Sequence, residues 1–227
     1  MGTHVVLGEG DRDKAFLDYL CKVRGITGPT TGFVGGIGEF GKHLLAMSAV
    51  PGFSQCQAIL LMSDHDEPED KSFESIRNQL KEIDFPVPTH PLEVARKQGK
   101  PVIAVLMQPY PLQGKDPRGC LETLLIPAMR AAHPTQAVCV DQMLICAGVA
   151  GWKRKDAQDK ANVRSLISAV YERNPSHGLH LCFAPEKGLI PMDDPVFNET
   201  ALVLQHFPTW VASNEKSWAD WRRAQGI

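Results

Sequence analysis

The sequence predicts an α/β fold: a parallel, Rossmann-like sheet flanked by helices, followed by a mainly helical C-terminal extension. Short runs with apolar centres at His4–Gly8, Gln57–Asp64 and Val102–Met107 read as strands buried on both faces, the mark of a parallel sheet. Stretches with helical periodicity separate them, and this alternation implies parallel strands joined by right-handed crossovers. Beyond residue 115 the strand signals fade and helical patterns dominate, which sets a core at 1–115 and an extension at 116–227 packed on it.

After the first run, Phe16, Leu20 and Val23 recur at near-helical spacing from Asp11 to Arg24, with acids in the first turn and Gly25 as a stop. A weaker strand at Thr31–Val34 leads through a Gly-rich turn into a helix over about Lys42–Val50, ended by Pro51-Gly52. The strand Gln57–Asp64 precedes a helix with Phe73, Ile76, Leu80 and Ile83 on one face, stopped by Pro86 and Pro88. In the extension, Leu121–Ala132, Val138–Gly148, the stripe Val163, Leu166, Ile167 and Val170, and Val196–Phe207 read as helices. Gly151–Lys160 and Pro185–Pro195 read as connections, and Trp218 and Trp221 fall at i and i+3, where they anchor the tail on the core or face a second subunit.

A chain of 227 residues, 43% hydrophobic, is long enough for a packed core. Its six cysteines form no C-x-x-C pair and no basic-then-apolar leader opens the chain, so reduced thiols in a cytoplasmic protein are expected. The longest apolar runs fall far short of the roughly 20 residues that cross a bilayer, so no membrane span is expected. A formal charge of −2 argues against electrostatic coating of nucleic acid and leaves room only for a transient contact.

The informative polar residues stand where strands end. Glu9 follows the first run, and Asp64 and Asp66 stand at the end of the run that begins at Gln57. Side chains at i and i+2 leave a strand on one face, and adjacent strands lie about 4.8 Å apart, so these acids can share a target if their strands are neighbours. Ionised carboxylates brought together repel, and Mg²⁺ or Mn²⁺ relieves that repulsion with a preference for hard oxygen ligands. The alternative is a set of solvated acids that cap the following helices.

Other motifs in the chain compete with this set. Gly36-Ile-Gly-Glu-Phe-Gly41-Lys42-His43 fits both G-x-G-x-x-G and most of a phosphate loop, but His43 replaces the Mg²⁺-ligating hydroxyl. A dinucleotide site at this turn, with Asp64 as the ribose acid, would leave Glu9 and Asp66 unexplained. Asp64–Asp70 fails as a calcium loop, since Glu69 sits where glycine is needed and Ser75 where the final glutamate is needed. His177, His180 and Cys182 lack a fourth zinc partner and read as ordinary structure. His65 should point away from its two acidic neighbours.

A glutamate in a Gly8-Glu9-Gly10 turn after the first strand, then Asp64-x-Asp66 after a later one, resembles the TOPRIM domain of topoisomerases, bacterial primases and OLD-type nucleases. Within that superfamily the chain is most similar to small stand-alone proteins with a Gly-x-Leu-Glu segment, here Gly119-Cys-Leu-Glu122; the resemblance covers roughly residues 4 to 125. It implies metal-dependent phosphodiester hydrolysis of DNA or RNA, with Glu9, Asp64 and Asp66 holding Mg²⁺ or Mn²⁺. It further implies Asp13 and Glu122 as ligands of a second ion about 4 Å away. It adds a hydroxyl from Ser63 and a lysine beside the reacting phosphate, Lys160 or Lys155. Topoisomerase action is not implied, because Tyr19, Tyr110 and Tyr171 lack the separate nucleophile domain. The OLD-type ATPase would be a separate partner or none, and a homo-oligomer remains open. Two rival functions stay open: a non-catalytic module that holds a metal-bound nucleotide or partner protein, and a dinucleotide-binding enzyme.

Overall fold

The computed structural model describes residues 3–65, 71–110, 119–171, 178–184 and 188–227. Among them the strands β1 (His4–Gly8), β2 (Thr30–Phe33), β3 (Ala58–Asp64) and β4 (Val102–Gln108) form one sheet, all parallel, in the order β2-β1-β3-β4. The chain is therefore α/β, with a parallel sheet flanked by helices and a helical C-terminal part.

Strand alternation divides the core in two. Val5, Leu7, Ile59, Leu61, Ile103 and Val105 face α2 (Phe40–Ser48) and α3 (Lys71–Glu82), where Phe73, Ile76 and Leu80 supply the buried stripe. Val6, Leu60, Met62, Ala104 and Leu106 face α1 (Asp11–Arg24) and the later helices. Those are α4 (Leu121–Ala132), α5 (Pro134–Cys146), α6 (Lys155–Val170), α7 (Leu179–Cys182), α8 (Asn198–Ala212) and α9 (Trp218–Gln225). Phe16 of α1 meets Phe183 and Phe197 edge-on at 5.9 and 5.6 Å, so α1 and the C-terminal helices share one apolar mass.

Local chemistry explains the element ends. Gly25 closes α1 in the left-handed conformation, φ 64°, its N–H donating to the carbonyls of Cys21 and Lys22. α2 starts two residues ahead of the predicted Lys42, because Gly41 packs on α3: a Cβ there would stand 3.2 Å from that of Gln79, whose Oε1 accepts the Gly41 N–H at 3.0 Å. α6 begins at Lys155, inside the predicted connection Gly151–Lys160. Its first turns read as polar loop because Asp156 and Asp159 are buried by ion pairs with Arg154, Lys155 and Lys160 rather than by apolar contact.

Trp218 and Trp221 stack at 5.1 Å, and Trp210 meets Trp218 edge-on at 5.6 Å; the tail is anchored in the core. All six cysteines are free thiols. His180 and Cys182 lie on the short α7, while His177 is outside the described residues. Among the described residues no helix is long and apolar enough to cross a membrane.

Candidate functional site

In a parallel sheet every strand presents its carboxyl end to the same edge, and the loops leaving that edge shape a crevice. Because β1 and β3 are hydrogen-bonded neighbours, Glu9 and Asp64 leave adjacent strands there. Ser63 Oγ donates to Glu9 Oε2 at 2.8 Å. The N–H groups of Gly35 and Gly36, leaving β2, donate to the Glu9 carbonyl at 3.0 and 2.9 Å.

Gly8 sets the approach of α1. A Cβ at this position would lie 2.4 Å from that of Asp13, so only glycine lets the first turn of α1 sit against the end of β1. The Gly10 N–H then donates to Asp13 Oδ2 at 2.7 Å, fixing the carboxylate against the start of α1.

The segment Gly119–Glu122 closes the other wall. The Gly119 N–H donates to the His65 carbonyl at 2.8 Å, in a place where a Cβ would meet Thr123 Oγ1 at 2.6 Å. Cys120 caps α4, the Leu121 N–H donates to Asp64 Oδ1 at 2.9 Å, and Glu122 enters the crevice. Thr123 Oγ1 donates to Asp159 Oδ2 at 2.6 Å, which ties α4 to α6 and brings Lys160 alongside.

The result is a cleft of about 490 Å³ whose described lining includes the acids Glu9, Asp11, Asp13, Asp64 and Glu122 and the cations Arg12 and Lys160. Arg12 Nη1 lies 3.3 Å from Glu122 Oε1, and Lys160 Nζ lies 3.2 Å from Asp156 Oδ2. Phe33 and the Gly35-Gly36 backbone form the side toward β2.

Two of these carboxylates, Asp13 and Asp64, resist ionising. Burial, then the neighbouring Glu9 and Glu122, pushes Asp13 up to about 7, against the Gly10 hydrogen bond and Arg12. Burial, then Asp13, Glu122 and Glu9, holds Asp64 well above the usual carboxylate range. Burial and the charges of Asp64 and Glu122 likewise raise the Cys120 thiol. Burial pulls the Lys160 ammonium down, but Cys120, the Asp156 hydrogen bond, Asp64 and Glu122 outweigh it and keep it firmly charged. The Cys120 sulfur and one oxygen each of Asp64 and Glu122 lie within 4.8 Å of one another, close enough to share an ion.

Of the residues singled out in the sequence, Glu9, Asp13, Asp64, Glu122 and Lys160 line this one cleft. Ser63 touches Glu9, and Lys155 pairs with Asp159 instead of lining the cleft. Asp66 lies outside the described residues. Arg12, Cys120 and the Leu121 amide were not anticipated. Arg12 carried a signal, since a cation in the first turn of a helix opposes the macrodipole and calls for an anionic partner. A backbone amide has no signature in sequence.

No curated protein matches the chain. A solved structure, the C-terminal region of the Xanthomonas campestris pv. campestris OLD protein, aligns over 91% of this chain and 97% of its own at 15% identity, with a TM-score of 0.36. Residues 3–213 match the family described as "Protein of unknown function (DUF3226)", and the chain belongs to that family.

Proposed function

We propose that this protein hydrolyses phosphodiester bonds of DNA or RNA with the help of Mg²⁺ or Mn²⁺, on a TOPRIM-like scaffold. The observation that supports this is the convergence of Glu9, Asp13, Asp64 and Glu122 from three separate parts of the chain into one cleft. The donor set suits a hard divalent cation: carboxylate oxygens, two of them on aspartates whose ionisation is suppressed by burial and by the neighbouring carboxylates. Asp66, two residues beyond Asp64, belongs to the proposed ligand set as well. A bound ion would supply the missing positive charge and a water of lowered pKa.

The chain's own groups do the positioning. Leu121 and Gly10 N–H groups and the Ser63 hydroxyl fix one oxygen each of Asp64, Asp13 and Glu9, so the acids are held before any ligand arrives. Lys160, steadied by Asp156 with Arg154 on the same carboxylate, is placed to offset charge on a non-bridging phosphate oxygen. On this reading residues 1–115 form the core that carries Glu9, Asp13 and Asp64, and 116–227 the extension that adds Glu122 and Lys160.

Plasmid nicking by purified protein in Mn²⁺, in Mg²⁺ and in chelator tests the proposal. Activity that needs the metal and disappears in Asp64→Ala supports it. Equal activity in Asp64→Ala identifies a contaminant and removes the hydrolytic assignment. Metal-dependent retention of DNA or RNA without cleavage would favour the binding module instead.

A further inference from the structure

Arg12 is held by a weak contact at a place where it is electrostatically out of position. It occupies the second residue of α1, whose dipole disfavours a cation. Among the described residues its one ion pair is the 3.3 Å contact with Glu122, which is long for a charge-assisted hydrogen bond, and its side chain is 43% exposed while that of Glu122 is 5% exposed. Half-exposed ion pairs of this kind contribute little and break easily. Yet the guanidinium belongs to a residue that lines the cleft itself, as Lys160 does. It covers a carboxylate that the proposed function assigns to a cation.

We propose that Arg12 is a phosphate clamp released by metal uptake: it neutralises Glu122 while the cleft lacks a divalent ion, and turns to a phosphate oxygen of the substrate once Glu122 serves that ion. This rests on the metal-binding reading of the cleft. Glu122 cannot satisfy both partners fully, and a doubly charged ion in direct contact with it wins over one long guanidinium contact. The freed guanidinium presents a planar fork that matches two phosphate oxygens. Metal and substrate then bind with positive coupling, which keeps the cleft from trapping phosphates without the ion that processes them.

The test compares wild type with R12Q and R12K, using Mn²⁺ titration calorimetry and anisotropy of a fluorescent oligothymidylate, with gels to confirm that it stays intact over the measurement. R12Q is expected to take up Mn²⁺ at least as tightly as wild type, because a competing cation is gone. In Mn²⁺ it should hold the oligonucleotide at least about tenfold more weakly, the loss expected for a hydrogen bond to a charged group. In chelator the two proteins should bind it alike, and R12K, which has charge without the fork, should fall between them in Mn²⁺. Equal oligonucleotide affinity of wild type and R12Q in Mn²⁺ overturns the clamp. An equal deficit of R12Q with and without Mn²⁺ overturns the release step. Absence of Mn²⁺ uptake by wild type removes the metal reading beneath it, a result separable from the other two.

Discussion

The charge imbalance of the cleft has its sharpest consequence at Asp13. Its carboxyl is 9% exposed and titrates at about 7 in the folded protein against 3.8 ordinarily. The folded state therefore holds this proton more tightly than the unfolded chain does. Stability from this group is fully present below about pH 4, declines as pH rises, and is gone above about pH 7. A difference of about three units at ~1.4 kcal/mol each sets a ceiling of about 4 kcal/mol for the cost of ionising Asp13 on folding at pH 8. Asp13→Asn removes that charge and keeps an oxygen for the Gly10 N–H. The variant should thus exceed wild type by roughly 2–4 kcal/mol at pH 8, and by nothing resolvable near pH 4. For a chain of this size that is a rise in Tm of at least several degrees, at ~2–4 °C per kcal/mol. Urea unfolding at a series of pH values, with m checked for constancy, measures it. Saturating Mn²⁺ at pH 8 should narrow the gap by stabilising wild type more than the variant. If the variant is instead less stable than wild type by the same amount at pH 4 and pH 8, Asp13 is anchored as an anion by Gly10 and Arg12, and the uncompensated-charge reasoning fails.

Other outcomes are equally specific. Gly8→Ala forces a Cβ to 2.4 Å from that of Asp13, so α1 must shift; a loss of at least roughly 1–3 kcal/mol is expected by chemical denaturation, together with weaker Mn²⁺ binding, and a neutral result would show that the first turn of α1 is free to move. Native-state alkylation followed by peptide mapping should modify the exposed Cys139 and Cys146 and spare Cys120, which is buried with its thiol raised by burial and by Asp64 and Glu122. Fast labelling of Cys120 would mean that the Asp64 wall of the cleft opens. Phe33 lines the cleft at 44% exposure, and Phe33→Ala should weaken oligonucleotide binding by about 1–3 kcal/mol if a base stacks there, leaving Mn²⁺ uptake unchanged. Unaltered oligonucleotide affinity would remove that face from the substrate path.

What the sequence determined by itself was local: where strands and helices lie, and which residues end them. The all-apolar runs at Val5–Leu7, Ala58–Met62 and Val102–Met107 announced strands covered on both sides, and the sheet is parallel with helices on each face. Gly25 and the spacing of Phe73, Ile76 and Leu80 marked helix ends and faces, since periodicity and caps depend on neighbours a turn away. The tertiary structure alone decided which ends meet. That the strand ending in Asp64 pairs with β1, beside Glu9, follows from the strand order, which no residue announces. Arg12 and Glu122 are 110 positions apart, and Leu121 and Asp64 are 57 apart, so neither contact leaves a trace in local spacing. The first turn of α6 looked like a loop because its buried groups are acids paired with Arg154, Lys155 and Lys160. Hydrophobic pattern reports burial by apolar contact; burial by ion pairing shows only once the partners are in place.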